Sequence, residues 1–190
     1  MQQEFLPKFY QAKKVLGVIV PTLEEVIQKN YQKIGIIGTY ANINSKNYLK
    51  EVKKLNPRII IFQKATPLFV SIIEEVMFDW QGLDLLFVQY FKTFKKEKIE
   101  ALILGCTHYG LIEKKIAKFF DHKVKIISQG KIIGEKLKNY LERHQEISLN
   151  LGKNRERSFY VSDFNKRYQQ IVSFFLGKEY KNNLVLVKID

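Results

Sequence analysis

Cysteine is nearly absent: the chain has one, Cys106, in 190 residues, so a disulfide scaffold is excluded. Glycine and proline are scarce too, 10 and four residues, which excludes a collagen-like or low-complexity fibre. No apolar run approaches the roughly 18 residues that a membrane-spanning helix needs. Met1 leads into Gln2, Gln3, Glu4 and Phe5, without the basic start and apolar stretch of a secretory signal. A lone thiol and no export signal predict a reducing, cytoplasmic setting. Arginine is rare among the basic residues, at Arg58, Arg143, Arg155, Arg157 and Arg167 only.

That scarcity bears on the charge. Lys and Arg number 32 against 19 Asp and Glu, a formal net charge of +13. Nucleic-acid readers favour clustered arginine. Here the excess is lysine spread along the whole chain, so no nucleic-acid partner is expected, and steering of an anionic substrate is the milder use of the field. Apolar residues at 46% and aromatics at 13% supply the surface a folded core requires. The length suits one large domain or two small ones.

Along the chain, strand and helix patterns alternate. Val15–Val20 reads as a buried strand, followed by a helix over Thr22–Gln32 with Pro21 at its first position. Strands are predicted at Lys33–Gly38, Arg58–Phe62, Ala101–Gly105, Val124–Ile127, Phe159–Val161 and Leu184–Ile189. Helices are predicted at Ser45–Leu55 with Ser45 as N-cap, Leu83–Lys95, Leu111–Phe120, Lys131–Arg143 and Asp163–Leu176. Pro67–Val76 reads as a loop and short helix, and His144–Arg157 as a surface loop or hairpin. Continuously apolar strands alternating with helices predict an α/β fold, a parallel sheet covered on both faces. Such sheets bind ligands beyond the carboxyl ends of their strands.

Two of those ends carry chemistry. Gly38-Thr39-Tyr40-Ala41-Asn42 follows one strand and offers hydroxyl and amide groups before a helix, a setting for an anion or for ordinary turn chemistry. The spacing Gly35-x-x-Gly38 is no dinucleotide fingerprint. Gly105-Cys106-Thr107-His108-Tyr109-Gly110 follows another strand. A thiol, a hydroxyl and an imidazole at one strand end are parts for proton transfer or nucleophilic attack. Free cysteines are more often buried and inert, and the strand-end position with a histidine two residues on is what weighs against that reading here. One cysteine and three scattered histidines (His108, His122 and His144) show no metal-ligand spacing.

Leu102-Ile-Leu-Gly-Cys-Thr-His-Tyr109 resembles the second active-site motif of glutamate racemases, in the aspartate/glutamate racemase superfamily. Ile34-Gly-Ile-Ile-Gly-Thr39 with Ser45 and Tyr48, Ala65-Thr-Pro-Leu-Phe-Val70 with Glu74, Phe159-Tyr-Val-Ser-Asp163 and Phe175-Leu-Gly177 resemble further segments of that family. The resemblance implies cofactor-independent interconversion of L- and D-glutamate, supplying D-glutamate for peptidoglycan, with two cysteines working on opposite faces of Cα. By position it makes Cys106 the second catalytic cysteine, His108 the histidine assisting it and Glu74 an acidic residue tuning the site. It makes Thr39, Asn42 and Thr107 substrate-binding. For Glu74 the alternative is a solvated helix carboxylate beside Glu75. The family's members often pair as homodimers.

The sequence also departs from the family. The N-terminal part with the first cysteine has no counterpart here, roughly seventy to eighty residues and more than the ~30 of a βαβ unit. Val20 and Thr22 replace Glu and Gly around Pro21, Asn42 stands where a second threonine is usual, and Thr66 stands where a cysteine is common. Gly110 replaces a proline, and Ser128-Gln129-Gly130 replaces Asp-Ser-Gly. The resemblance implies two similar α/β domains with parallel sheets flanked by helices, the first incomplete: residues 31–128 as the second domain, 1–30 plus 129–190 as the remnant of the first. The incomplete sheet would have an exposed edge and uncovered apolar surface. Two other readings remain beside the racemase: a noncatalytic glutamate- or partner-binding remnant, and a decarboxylase-type relative that protonates with one thiol.

Overall fold

Four short runs rich in Ile and Leu become the strands of a parallel sheet. The computed structural model describes residues 6–9, 16–154, 157–163, 166–180 and 184–188. In order, the elements are α1 (Leu6–Phe9), α2 (Ile19–Gln28), β1 (Lys33–Gly38), α3 (Tyr40–Asn44), α4 (Asn47–Leu55), β2 (Ile60–Ala65), α5 (Leu68–Glu74), α6 (Gly82–Glu97), β3 (Ala101–Leu104), a 3₁₀ turn (Thr107–Ile112), α7 (Glu113–Phe119), β4 (Lys125–Ser128), α8 (Gln129–Arg143), α9 (Gln145–Ser148), β5 (Phe159–Val161), α10 (Lys166–Phe175), a second 3₁₀ turn (Lys178–Tyr180) and β6 (Leu184–Leu186). The chain divides into two compact units, Met1–Tyr140 and Leu141–Asp190.

In the first unit the strands are ordered β2-β1-β3-β4, all neighbours parallel. Side chains alternate across the sheet as the pleat demands. On one face Ile34 and Ile36 of β1, Ala101 and Ile103 of β3 and Ile127 of β4 pack with Leu23 and Val26 of α2 and Tyr48 and Val52 of α4. On the other face an aromatic layer forms. Phe69 of α5 meets Phe87, Tyr90 and Phe91 of α6 edge-on, with centroids 5.5, 5.2 and 6.0 Å away. Phe91 continues to Phe119 and Phe120 at 5.4 and 5.2 Å. Edge-on contacts of this kind add to the gain from area alone.

Gly35 sits at the middle of β1 beneath this layer. A Cβ there would lie 2.7 Å from Ile99 Cδ1 and 2.9 Å from Leu102 Cδ1, so the missing side chain is what admits both. Edge strand β2 is less covered than the centre, and Ile60 is 50% exposed.

The second unit contains a parallel pair, β5 with β6, in the register Phe159↔Leu184 to Val161↔Leu186. Phe159 packs edge-on to Tyr180 at 5.8 Å, and Arg157 donates to the Tyr180 hydroxyl.

The expected strand over Val15–Val20 is corrected. Val15 lies outside the described residues, Leu16–Val18 are not strand, and Ile19 already begins α2. Pro21 is the third helical residue, not the first; the first turn tolerates it because no N–H there has an intrahelical partner. Thr22 Oγ1 donates to the Val18 carbonyl at 2.7 Å and closes that turn. The helix expected from Leu111 starts as a 3₁₀ turn at Thr107, and the polar segment after His144 opens with the short α9. Phe164, Asn165 and Ile189, expected in a helix and a strand, lie outside the described residues. Among the described residues no helix is long and apolar enough to cross a membrane.

Gly35→Val is expected to lower the stability of the folded chain by about 1–3 kcal/mol through overpacking. Urea unfolding would register this as a lower midpoint at unchanged slope.

Candidate functional site

Parallel register sets three strand ends side by side. Gly38 pairs with Ala65, and Ile37 with Leu104. The ladder continues one step further: Thr66 N donates to Gly38 O at 2.9 Å and Gly105 N to Ile37 O at 2.8 Å. The segments leaving these ends therefore start within reach of one another. They are Thr39–Asn42 after β1, Thr66–Glu74 after β2 and Cys106–His108 after β3.

Cys106 is half-buried at the end of β3, not sealed in the core. Its extended backbone, φ −130° and ψ 139°, gives way to the 3₁₀ turn Thr107–Ile112. That tight turn brings His108 back toward the sulfur, with Sγ 3.6 Å from Nδ1. On the far side of the ring, Nε2 is 3.2 Å from Glu74 Oε1 at the last turn of α5. Glu74, His108 and Cys106 thus form a continuous chain from carboxylate to thiol. When Nε2 keeps its proton for the carboxylate, Nδ1 is left as an acceptor facing the thiol. The arrangement can take a proton from sulfur and return it, as a nucleophile–base–orienter set does.

Thr39 and Asn42 lie on the neighbouring strand end. Thr39 caps α3, its Oγ1 accepting from Asn42 N at 3.3 Å. Asn42 Nδ2 donates to Gly105 O at 3.0 Å, so the amide reaches across to the residue before the cysteine. Its Oδ1 is buried and has no hydrogen-bond partner among the described residues. Two glycines let these strand ends approach closely. A Cβ on Gly38 would lie 3.1 Å from Asn42 Oδ1, and one on Gly105 would lie 2.7 Å from Ile37 O. Thr107 is exposed at the start of the turn.

The structure therefore joins Cys106, His108 and Glu74 through direct contacts and ties Asn42 to the Cys106 segment through Gly105. Ser45, expected as an N-cap, instead bridges α3 and α4: its Oγ donates to Asn42 O and accepts from Asn47 N.

Sequence reasoning did not identify a buried link beside the site. Tyr109 and Thr66 are both fully buried. The Tyr109 hydroxyl donates to Thr66 O at 2.8 Å and accepts from Thr66 Oγ1 at 3.0 Å. A hydroxyl among apolar neighbours just before Pro67 was the available signal. Burial pushes the Tyr109 phenol up to about 12, with the Thr66 bond opposing part of the rise. Tyr48 is likewise pushed up to about 12 by burial, partly opposed by Gln129, whose Nε2 donates to its hydroxyl at 2.6 Å.

Both phenols keep their protons in the folded state at pH values where an unfolded tyrosine, at about 10, loses its own. Stability from this source is whole below pH 10 and drains away as pH rises toward 12. Denaturant unfolding between pH 9 and 12 is expected to show a falling midpoint, and Tyr48→Phe to make that fall shallower.

No family model matches the chain. Among curated proteins it is 34% identical to the glutamate racemase of Sulfurihydrogenibium sp. (strain YO3AOP1), over 86% of this chain and 60% of that protein. It is 33% identical to the glutamate racemase of Aquifex aeolicus (strain VF5), over 87% of this chain and 61% of that protein. Among solved structures, the glutamate racemase of Francisella tularensis in complex with D-glutamate superposes with a TM-score of 0.84 at 32% identity, covering 99% of this chain and 69% of that one. The chain spans about three fifths of the length of the curated relatives it matches.

Proposed function

The chain belongs to the glutamate racemase family, and from that membership we propose that Cys106 is a proton carrier at Cα of glutamate, without a cofactor. The observation that carries this reading is the Glu74–His108–Cys106 chain, with contacts of 3.2 and 3.6 Å. His108 exchanges the proton with the thiol. Glu74 holds the ring in the tautomer that leaves Nδ1 facing sulfur.

An amino acid's Cα–H is a very weak acid. Removing it requires that charge developing on the carboxylate be met by preorganised donors. The hydroxyls of Thr39 and Thr107 and the amide of Asn42, at the rims of β1 and β3, are assigned to that end of the substrate. The relative from Francisella tularensis was solved with D-glutamate, which supports glutamate as the ligand. Excess lysine, at a net charge of +13, favours the approach of an amino acid that carries two carboxylates.

The chain contains a single thiol. One carrier serves one face of Cα, so inversion requires an acid or base on the opposite face as well. The product role is supply of D-glutamate for peptidoglycan in the cytoplasm. The domain reading is residues 31–128 as the second α/β domain, with 1–30 plus 129–190 belonging to the first, and a homodimer as the assembly.

In deuterated water the chain is expected to exchange the Cα hydrogen of one glutamate enantiomer faster than it interconverts the two. Cys106→Ala is expected to abolish that exchange. Proton NMR of the Cα signal with each enantiomer reads the outcome. No exchange of either enantiomer by the wild-type chain would defeat the reading and leave glutamate binding without catalysis.

A further inference from the structure

Glu74 and His108 meet on the surface, 45% and 34% exposed. Exposed ion pairs contribute little, because solvent screens them and two side chains must be held in one geometry. That contact alone cannot hold α5 and the 3₁₀ turn in register. Something beneath it must fix the spacing on which the relay depends.

The buried link described above lies in the right place. Tyr109 is the residue after His108. Thr66 precedes Pro67, and the helix that follows carries Glu74. The two hydroxyl bonds, 2.8 and 3.0 Å, join the peptide segment bearing the carboxylate to the one bearing imidazole and thiol. Thr66 is itself pinned to the sheet by its N–H on Gly38 O at 2.9 Å. Phe69 of α5 stands edge-on to the Tyr109 ring at 5.7 Å and orients it. Tyr109 N also donates to Cys106 O at 3.1 Å, so the ring's position passes directly into the turn that presents the sulfur. Every polar atom of the link is satisfied inside the protein. Breaking it leaves a buried group without a partner, a cost well above what the exposed pair can return.

We propose that Thr66 and Tyr109 form a positioning pair that sets the Glu74–His108–Cys106 spacing. The inference deepens the proton-carrier reading and rests on it. Neither residue touches substrate. Their effect reaches the chemistry through where they hold His108 and Cys106, and misplacements of this size cost rate more than binding.

The test uses the full chain and two readouts. One is the pH dependence of Cys106 alkylation by iodoacetamide, which needs no turnover. The other is Cα hydrogen exchange of glutamate, resolved into kcat and KM. His108→Gln defines the alkylation profile without the imidazole. Tyr109→Phe is expected to move the profile most of the way to that of His108→Gln, and to lower kcat for exchange about tenfold or more with KM nearly unchanged. Thr66→Val, which keeps the carbonyl acceptor, is expected to produce a smaller shift in the same direction. Thr66→Ser is expected to restore the wild-type profile. Should Tyr109→Phe fail to fold, Thr66→Val carries the test. A folded Tyr109→Phe or Thr66→Val with the wild-type profile would overturn the positioning pair and leave the relay standing. A His108→Gln profile identical to wild type would instead remove the relay, and the pair with it.

Discussion

Parallel pairing of β1 with its two neighbours is the constraint from which the rest of the site follows. In a parallel sheet all strands finish at the same edge, so whatever comes after them is delivered to one place. Here the register carries Thr39, Thr66 and Cys106 to that edge from positions far apart in sequence, and ladder bonds run one residue past the strands themselves. Gly35 and Gly105 serve the same end. The first admits the Ile99 and Leu102 side chains against β1, and the second lets its strand end lie close against the Ile37 carbonyl.

Order and reactivity are separated across depth. The deepest layer is rings and aliphatic side chains, which fix the helices on the sheet. Above it lies a thin polar layer, Thr66 with Tyr109 on one side and Asn42 with the Gly105 carbonyl on the other. Nearest the surface are the partly exposed imidazole of His108 and the half-buried thiol of Cys106. An exposed pair such as Glu74 with His108 stays open to water and contributes little to holding its own geometry. The satisfied bonds below provide the rigidity that the exposed contact lacks.

Membership in the glutamate racemase family and the relay explain different things. Family likeness covers nearly the whole chain yet only about three fifths of the length of its curated relatives. The relay is a property of this chain's own residues. Its three members come from two strand ends and run from a carboxylate through an imidazole to a thiol. Asn42 has the reach to bond across to Gly105.

Much of the fold was legible in the sequence. The bounds of Lys33–Gly38 agree with β1, and the strands read at Arg58, Ala101 and Val124 shift by a residue or a few, because uninterrupted apolar runs between polar turns have few other uses. The run at Val15–Val20 has the pattern of a strand, yet its last two residues begin α2. A short apolar run suits a strand or a buried helical turn equally, and only α2's seat against Ile34, Tyr48 and Val52 decides between them. Within the site, the sequence alone determined that a thiol and an imidazole stand two residues apart after a strand, since both facts are local. Tertiary structure alone decided that Glu74 reaches the imidazole, that Asn42 reaches the Gly105 carbonyl, and that Thr66 and Tyr109 close a buried bond. Each of these joins separate strand ends, and their distance is set by sheet register and packed rings rather than by neighbours in the chain.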